Sequence, residues 1–178
     1  MEIEEFVRKS LGEWSSMRSG HSLAFKHFEE IVSDIKIKLI SQTDKKFQDF
    51  ITSTGYSEDQ AVSPFEIEWE GHSNWEETGE MKDKLTGQSL LIPIKQSSNS
   101  GIILRSKGYT EAREAISSYQ ILSDGTIIFL TTYEKTSAEE RIWFIHQNVR
   151  CRSSVIKSKE MNAILQTSFA SEIRKVKQ

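Results

Sequence analysis

Arg150, Arg152 and Ser154 occupy every second position in "NVRCRSSV", residues 148–155. In an extended strand, alternate side chains point to opposite faces. These three therefore share one face, and Val149, Cys151, Ser153 and Val155 share the other. Paired guanidinium groups are a site for an anion, because the planar fork of Arg matches a carboxylate at two points. The stretch 139–146 alternates in the same way. Glu140, Ile142, Phe144 and His146 share a face, and Arg141, Trp143 and Ile145 take the other. In 14–22, Trp14, Ser16, Arg18 and Ser22 fall together. A dry core asks for aliphatic residues throughout. Faces that mix large apolar groups with Arg, Glu and Ser suit a cavity holding water and an amphipathic ligand. Arginines turned into such a cavity need anionic partners. Glu140 is one candidate and a ligand carboxylate is another. The alternation fits a solvated outer face equally well, with the arginines in weak surface ion pairs.

Other reactive groups form no pattern. His21, His27, His72 and His146 lack the spacing of a metal site. No Ser-His-Asp order or glycine-rich phosphate loop is present, and "EGHSNWEETGE" at 70–80 is acidic and repels phosphate. Cys151 lies on the face opposite the two arginines and reads as an ordinary strand residue. On their own, Trp69 and Trp75 read as core.

The elements that must carry these residues are mostly strands. Ile3, Phe6, Val7 and Leu11 have helical spacing, and Gly12 suits the end of a helix over 2–11. Phe47, Phe50 and Ile51 predict a second helix over 44–54, with Asp44 as N-cap and Gly55 as stop. Residues 13–25 read as a strand, and in 34–40 Ile35, Ile37 and Leu39 alternate with Lys36 and Lys38. Further strands are expected near 64–71, 74–82, 88–95, 101–107, 112–122, 126–134, 139–146 and 149–157. Turn chemistry separates them at "LTG" 85–87, "SSNSG" 97–101 and "SDG" 123–125, the last offering the Asp-Gly pair of two-residue hairpins. The tail 158–177 returns to helical spacing through Met161, Ile164, Leu165, Phe169, Ile173 and Val176. The sum is a mainly-β single domain over 1–178, with about ten antiparallel strands and short helices at the start, near the middle and at the end. A sandwich or an up-and-down barrel satisfies this pattern. The barrel is favoured because closure removes the edge strands, and one of this size encloses a single small ligand.

Composition narrows the classes. The chain of 178 residues is 37% hydrophobic but carries 9 Phe, 4 Trp and 4 Tyr, enough to build a core or wall a pocket. A net charge of −3 gives no basic footprint for nucleic acid. The single Cys excludes an intrachain disulfide. No run approaches the ~20 apolar residues of a membrane span. The acidic opening "MEIEEFVRKSLGEW" lacks the apolar core of an export signal, so a cytoplasmic location is expected.

Three stretches carry a family resemblance: "GEWSSMRSGHSLAF" at 12–25, "FEIEWEG" at 65–71 and "ERIWFIHQNVRCRSS" at 140–154. Together with their spacing, they resemble the S-type phycobiliprotein lyases, the CpcS/CpeS family, over nearly the whole chain. The resemblance implies a lipocalin-like, fatty-acid-binding-protein-like barrel with an N-terminal helix. It implies noncovalent binding of a phycobilin, a linear tetrapyrrole, followed by delivery to a cysteine of an apo-phycobiliprotein subunit as a thioether. It implies no metal and no prosthetic group. Phycoerythrobilin is the expected bilin, ahead of phycocyanobilin, and the β-subunit of phycoerythrin the expected acceptor. Carried onto this chain, Arg18, Arg150 and Arg152 would contact the bilin propionates or carbonyls. Glu140 would bond the pyrrole N–H groups, Ser154 would bond the ligand, and Trp69 and Trp75 would wall the rings. Glu140 and Arg150 are the expected catalytic pair. The resemblance also implies a homodimer, with outward residues such as Trp143 at its interface, and a cytoplasmic or plastid-stromal setting. A bilin carrier without transferase activity, and a generic lipocalin-like carrier, are the competing readings.

Overall fold

The computed structural model describes residues 1–73, 85–107 and 114–176. Helix α1 spans Ile3–Ser10. Strands β1 (Gly12–Ser22) and β2 (His27–Leu39) follow, then α2 (Lys45–Thr54) and a short 3-10 turn at Glu58–Gln60. The remaining strands are β3 (Phe65–Ser73), β4 (Leu85–Lys95), β5 (Ser100–Arg105), β6 (Ala115–Ile121), β7 (Ile127–Thr132), β8 (Thr136–His146), β9 (Val149–Ser158) and β10 (Ala163–Arg174). They form a closed antiparallel barrel in the order β1-β10-β9-β8-β7-β6-β5-β4-β3-β2. Among the described residues no helix is long and apolar enough to cross a membrane.

The first helix closes one end. Its buried residues Ile3, Phe6, Val7 and Ser10 recur at i, i+3, i+4 and i+7. Phe6 meets Phe129 and Phe144 edge-on, at 6.0 and 6.1 Å between ring centroids. Glu4 and Glu5 in the first turn and Arg8 and Lys9 in the last complement the helix dipole. The chain leaves the helix through Gly12 at φ +113°, a conformation that favours glycine. The indole of Trp14 then donates to the Ser10 carbonyl at 2.8 Å.

The second helix packs outside the barrel. Asp44 caps it by accepting from the Lys46 amide at 2.8 Å, and Gly55 ends it at φ +77°. Phe47, Phe50 and Ile51 pack with Leu90, Ile92, Ile94 and Leu104. Strand β4 is therefore covered on both faces, which is why "LLIPI" is continuously apolar rather than alternating. Glu66, buried beneath the helix, is ion-paired with Lys38 at 2.9 Å and accepts from Lys46 at 2.8 Å. Burial raises its pKa, but the two ammonium groups outweigh that and hold it below the usual carboxylate range.

Three expectations change. Residues 85–87, read as a turn, instead begin β4 and pair with β3. The tail is a strand, β10, rather than a helix. Leu165, Phe169 and Ile173 recur every four residues, a spacing that one face of a strand satisfies as well as a helix does. The 123–125 turn holds three residues between Leu122 and Thr126, which are joined by a 2.8 Å backbone bond, with Gly125 at φ +85°. The strand expected near 74–82, together with Trp75, lies outside the described residues.

Candidate functional site: a charged cavity inside the barrel

Ladder register decides which side chains meet. Ile31 of β2, Arg18 of β1, Ala170 of β10, Arg152 of β9 and Ile142 of β8 lie in one row around the wall. The next row toward α1 holds Ser33, Ser16, Glu172, Arg150 and Phe144. These rows face inward onto a cavity of about 410 Å³, within the range of small-ligand sites. Its apolar wall includes Phe6, Ile35, Phe65, Ile67, Trp69, Leu91 and Phe129. Among the described residues, its polar wall carries five cationic side chains, Arg18, Arg105, Lys107, Arg150 and Arg152, against two carboxylates, Glu140 and Glu172. The arginine face of "NVRCRSSV" is thus the inside of the barrel.

Arg150 is 1% exposed, and its Nε donates to Glu172 directly opposite on β10. Nη2 of Arg152 lies 3.5 Å from the other oxygen of Glu172. The Arg150 guanidinium lies over the Trp14 ring, 4.5 Å from its centroid. Burial pulls Arg150 down to about 10, with Glu172 opposing the shift, so it keeps its charge at neutral pH. Burial raises Glu172, but Arg152 and Arg150 outweigh burial and leave it below the usual carboxylate range. Nη2 of Arg150 has no partner among the described residues.

Glu140, 2% exposed, is not the partner of Arg150 and Arg152. It accepts from Nη2 of Arg105 on β5 at 2.8 Å. Trp69 lies in the wall across from Gly87 on β4, where a Cβ would stand 2.2 Å from the indole. Ser154 shares the inward face of β9, but its hydroxyl is 2.6 Å from that of Ser168 and it is not part of the cavity lining. Cys151 is buried on the outer face, opposite Trp143 and Ser171 in register.

The structure therefore brings Arg18, Trp69, Glu140, Arg150 and Arg152 to one cavity. Reading the sequence missed Glu172, Arg105 and Lys107. Glu172 was hidden by the helical reading of the tail. Arg105 and Lys107 follow Ile103 at alternate positions of β5 and beyond, the same signal that marked Arg150 and Arg152.

A closed antiparallel barrel with a helix across its base and a charged, ligand-sized interior defines a lipocalin-like small-ligand protein. Comparison with known proteins makes this specific. The model of the family described as CpeS-like protein matches residues 2–175. "Chromophore lyase CpcS/CpeS 3" of Trichodesmium erythraeum is 46% identical, covering 98% of this chain and 99% of that one. "Putative phycoerythrobilin lyase CpeS" of Microchaete diplosiphon is 38% identical over 153 residues, 85% of this chain and 66% of its own. The solved structure of the S-type phycobiliprotein lyase CPES from Guillardia theta superposes with a TM-score of 0.86 at 32% identity, covering all of this chain and 95% of that one. The chain belongs to the CpeS-like family, the family of these chromophore lyases.

Proposed function

We propose that this protein binds a phycobilin noncovalently in its barrel and attaches it to a cysteine of a phycobiliprotein subunit. The observation that carries the reading is the cavity's charge. Among the described residues, five cations face two carboxylates inside the barrel of a chain whose net charge is −3. Arg105 and Arg150 are buried while Arg18, Lys107 and Arg152 are partly exposed, and an excess of cations in a largely enclosed cavity calls for an anionic ligand. Trp69 and the aliphatic wall call for a flat apolar body on that ligand. A linear tetrapyrrole with two propionates offers both.

In the reaction, the acceptor thiol adds across the ethylidene double bond of ring A. The S–C bond forms at the ethylidene carbon, the thiol proton ends on the neighbouring ring carbon, and nothing leaves. The nucleophile belongs to the acceptor, which agrees with the position of Cys151 away from the cavity. The protein contributes placement: arginines fix the propionates, Glu140 accepts from pyrrole N–H groups, and the barrel holds one conformer for the thiol. Phycoerythrobilin and a phycoerythrin β-subunit are the proposed bilin and acceptor, in the cytoplasm or plastid stroma. A homodimer is proposed through the outer face around Trp143 and Phe169, whose rings lie 6.1 Å apart.

An absorption titration with phycoerythrobilin beside phycocyanobilin tests binding. A red-shifted, sharpened band that weakens in Arg18→Ala and Arg150→Ala is expected, and no band with either bilin overturns the reading. Coexpression with an acceptor subunit separates lyase from carrier. Colour that survives denaturation on the subunit is expected, and colour lost on denaturation would leave only carriage.

A further inference from the structure

We propose that Arg105 is a second anion anchor of the cavity, and that it takes the second carboxylate of a dicarboxylate ligand while the Arg18–Arg150–Arg152 cluster takes the first. The proposal rests on the bilin reading above and sharpens it. Arg105 ends β5, facing inward opposite Leu91 on β4 and Ala115 on β6. In the strand order, β5 stands five steps from β10 in either direction. Arg105 therefore enters the cavity from the strand diametrically opposite the one that carries Glu172. Lys107 lines the cavity two residues further on.

The guanidinium is only partly used. Its Nη2 reaches Glu140 on β8, past the two intervening strands, and its Cζ lies 5.4 Å from the Phe129 ring centroid. Arg105 is 8% exposed, and its Nε–H has no acceptor among the described residues. A buried charged donor left unsatisfied is costly, and a ligand carboxylate removes that cost. Among the described residues of the cavity lining, Arg105 and Lys107 together exceed the single charge of Glu140. Among the same described residues, Arg18, Arg150 and Arg152 stand with Glu172. The cavity's cations thus fall into two groups with different carboxylate partners, Glu140 for Arg105 and Glu172 for Arg150 and Arg152. A ligand with one carboxylate satisfies one of them, and a ligand with two carboxylates on a rigid body satisfies both. This selects a tetrapyrrole dipropionate over a fatty acid.

The test compares phycoerythrobilin with its dimethyl ester by absorption titration. Replacing Arg105 alone would strand Glu140, so its effect is measured between Glu140→Gln and Arg105→Gln/Glu140→Gln. Removing Arg105 is expected to weaken the free acid roughly 10- to 100-fold, the size of a hydrogen bond to a charged group. The dimethyl ester is expected to be unaffected. The Arg105 and Arg18 losses are expected to multiply, because each holds a different carboxylate. Equal losses for acid and ester, or no loss for either, overturn the proposal while leaving the bilin reading intact. If the double variant does not fold, the two monomethyl esters are titrated on the unaltered protein. Two anchors weaken both monoesters relative to the acid, and one anchor leaves one monoester unchanged and overturns the proposal. Failure of the unaltered protein to bind either acid or ester overturns both readings together.

Discussion

Glu172 on β10 stands directly opposite Arg150 on β9, and its carboxylate also lies 3.5 Å from Arg152 two residues along the same strand. One buried carboxylate thus stands between a buried cation, Arg150, and a partly buried one, Arg152. Removing its charge leaves Arg150 and Arg152 facing each other at low exposure. Breaking a buried ion pair by removing one partner costs about 3–5 kcal/mol. Glu172→Gln keeps an acceptor, so a loss near 3 kcal/mol is expected in urea unfolding at pH 7.

The same pair fixes a pH dependence. Glu172 has its folded pKa lowered, so its contribution is fully present above the unfolded carboxylate value, roughly 4.3, and is lost as pH falls through the folded value. The stability gap between the native chain and Glu172→Gln is expected to be constant above about pH 5 and to close in acid. Glu66 shifts in the same direction, but it is present in both proteins and cancels. A gap that stays constant into acid would sink this assignment.

The barrel and most of its polar wall were legible because period-two alternation survives in β1, β8 and β9. There Trp14, Ser16 and Arg18, or Arg150 and Arg152, interleave with outward residues. Alternation could not say which face was the inside, and ladder register settles that by setting Arg18, Ala170 and Arg152 in one row. The tail misled because β10 inverts the usual rule: Glu172 is 1% exposed while Ile173 is 59% exposed. The Arg105–Glu140 pair was invisible because it joins residues 35 apart in the chain across the barrel, a separation no local spacing encodes.

Gly87 sets the place of Trp69. A Cβ there would lie 2.2, 2.7 and 2.9 Å from three indole carbons. Gly87→Ala therefore forces the ring off the β4 wall, and overpacking of this kind costs about 1–3 kcal/mol. The variant is expected to show altered tryptophan emission and weaker bilin binding. Unchanged emission and affinity would mean that the ring has another place to go at no cost.

Cys151 offers the opposite expectation. It is buried on the outer face, in register with Trp143 and Ser171 and behind the arginine wall. Cys151→Ser is expected to lower stability by about 1 kcal/mol and to leave bilin affinity and transfer unchanged. Loss of transfer with binding intact would bring the thiol into the chemistry and overturn its assignment as a wall residue.

Arg174 ties α1 to the barrel. Its guanidinium lies over Trp14 at 4.2 Å and donates to the carbonyls of Lys9, at 2.6 Å, and Leu11 at the end of α1. These are carbonyls that the helix leaves without intrahelical donors, and a cation there also meets the negative end of the helix dipole. Arg174→Met removes both while keeping an apolar stem over the indole. Stability is expected to fall by about 1–3 kcal/mol, the range for a hydrogen bond to a charged group. The loss should come with faster amide exchange in α1 than in β7, because the base of the cavity loosens before the barrel opens. Equal exchange rates in the two elements would show that the helix is held without Arg174, by its buried face of Ile3, Phe6 and Val7 and by the Lys95 pairs to Glu2 and Glu4.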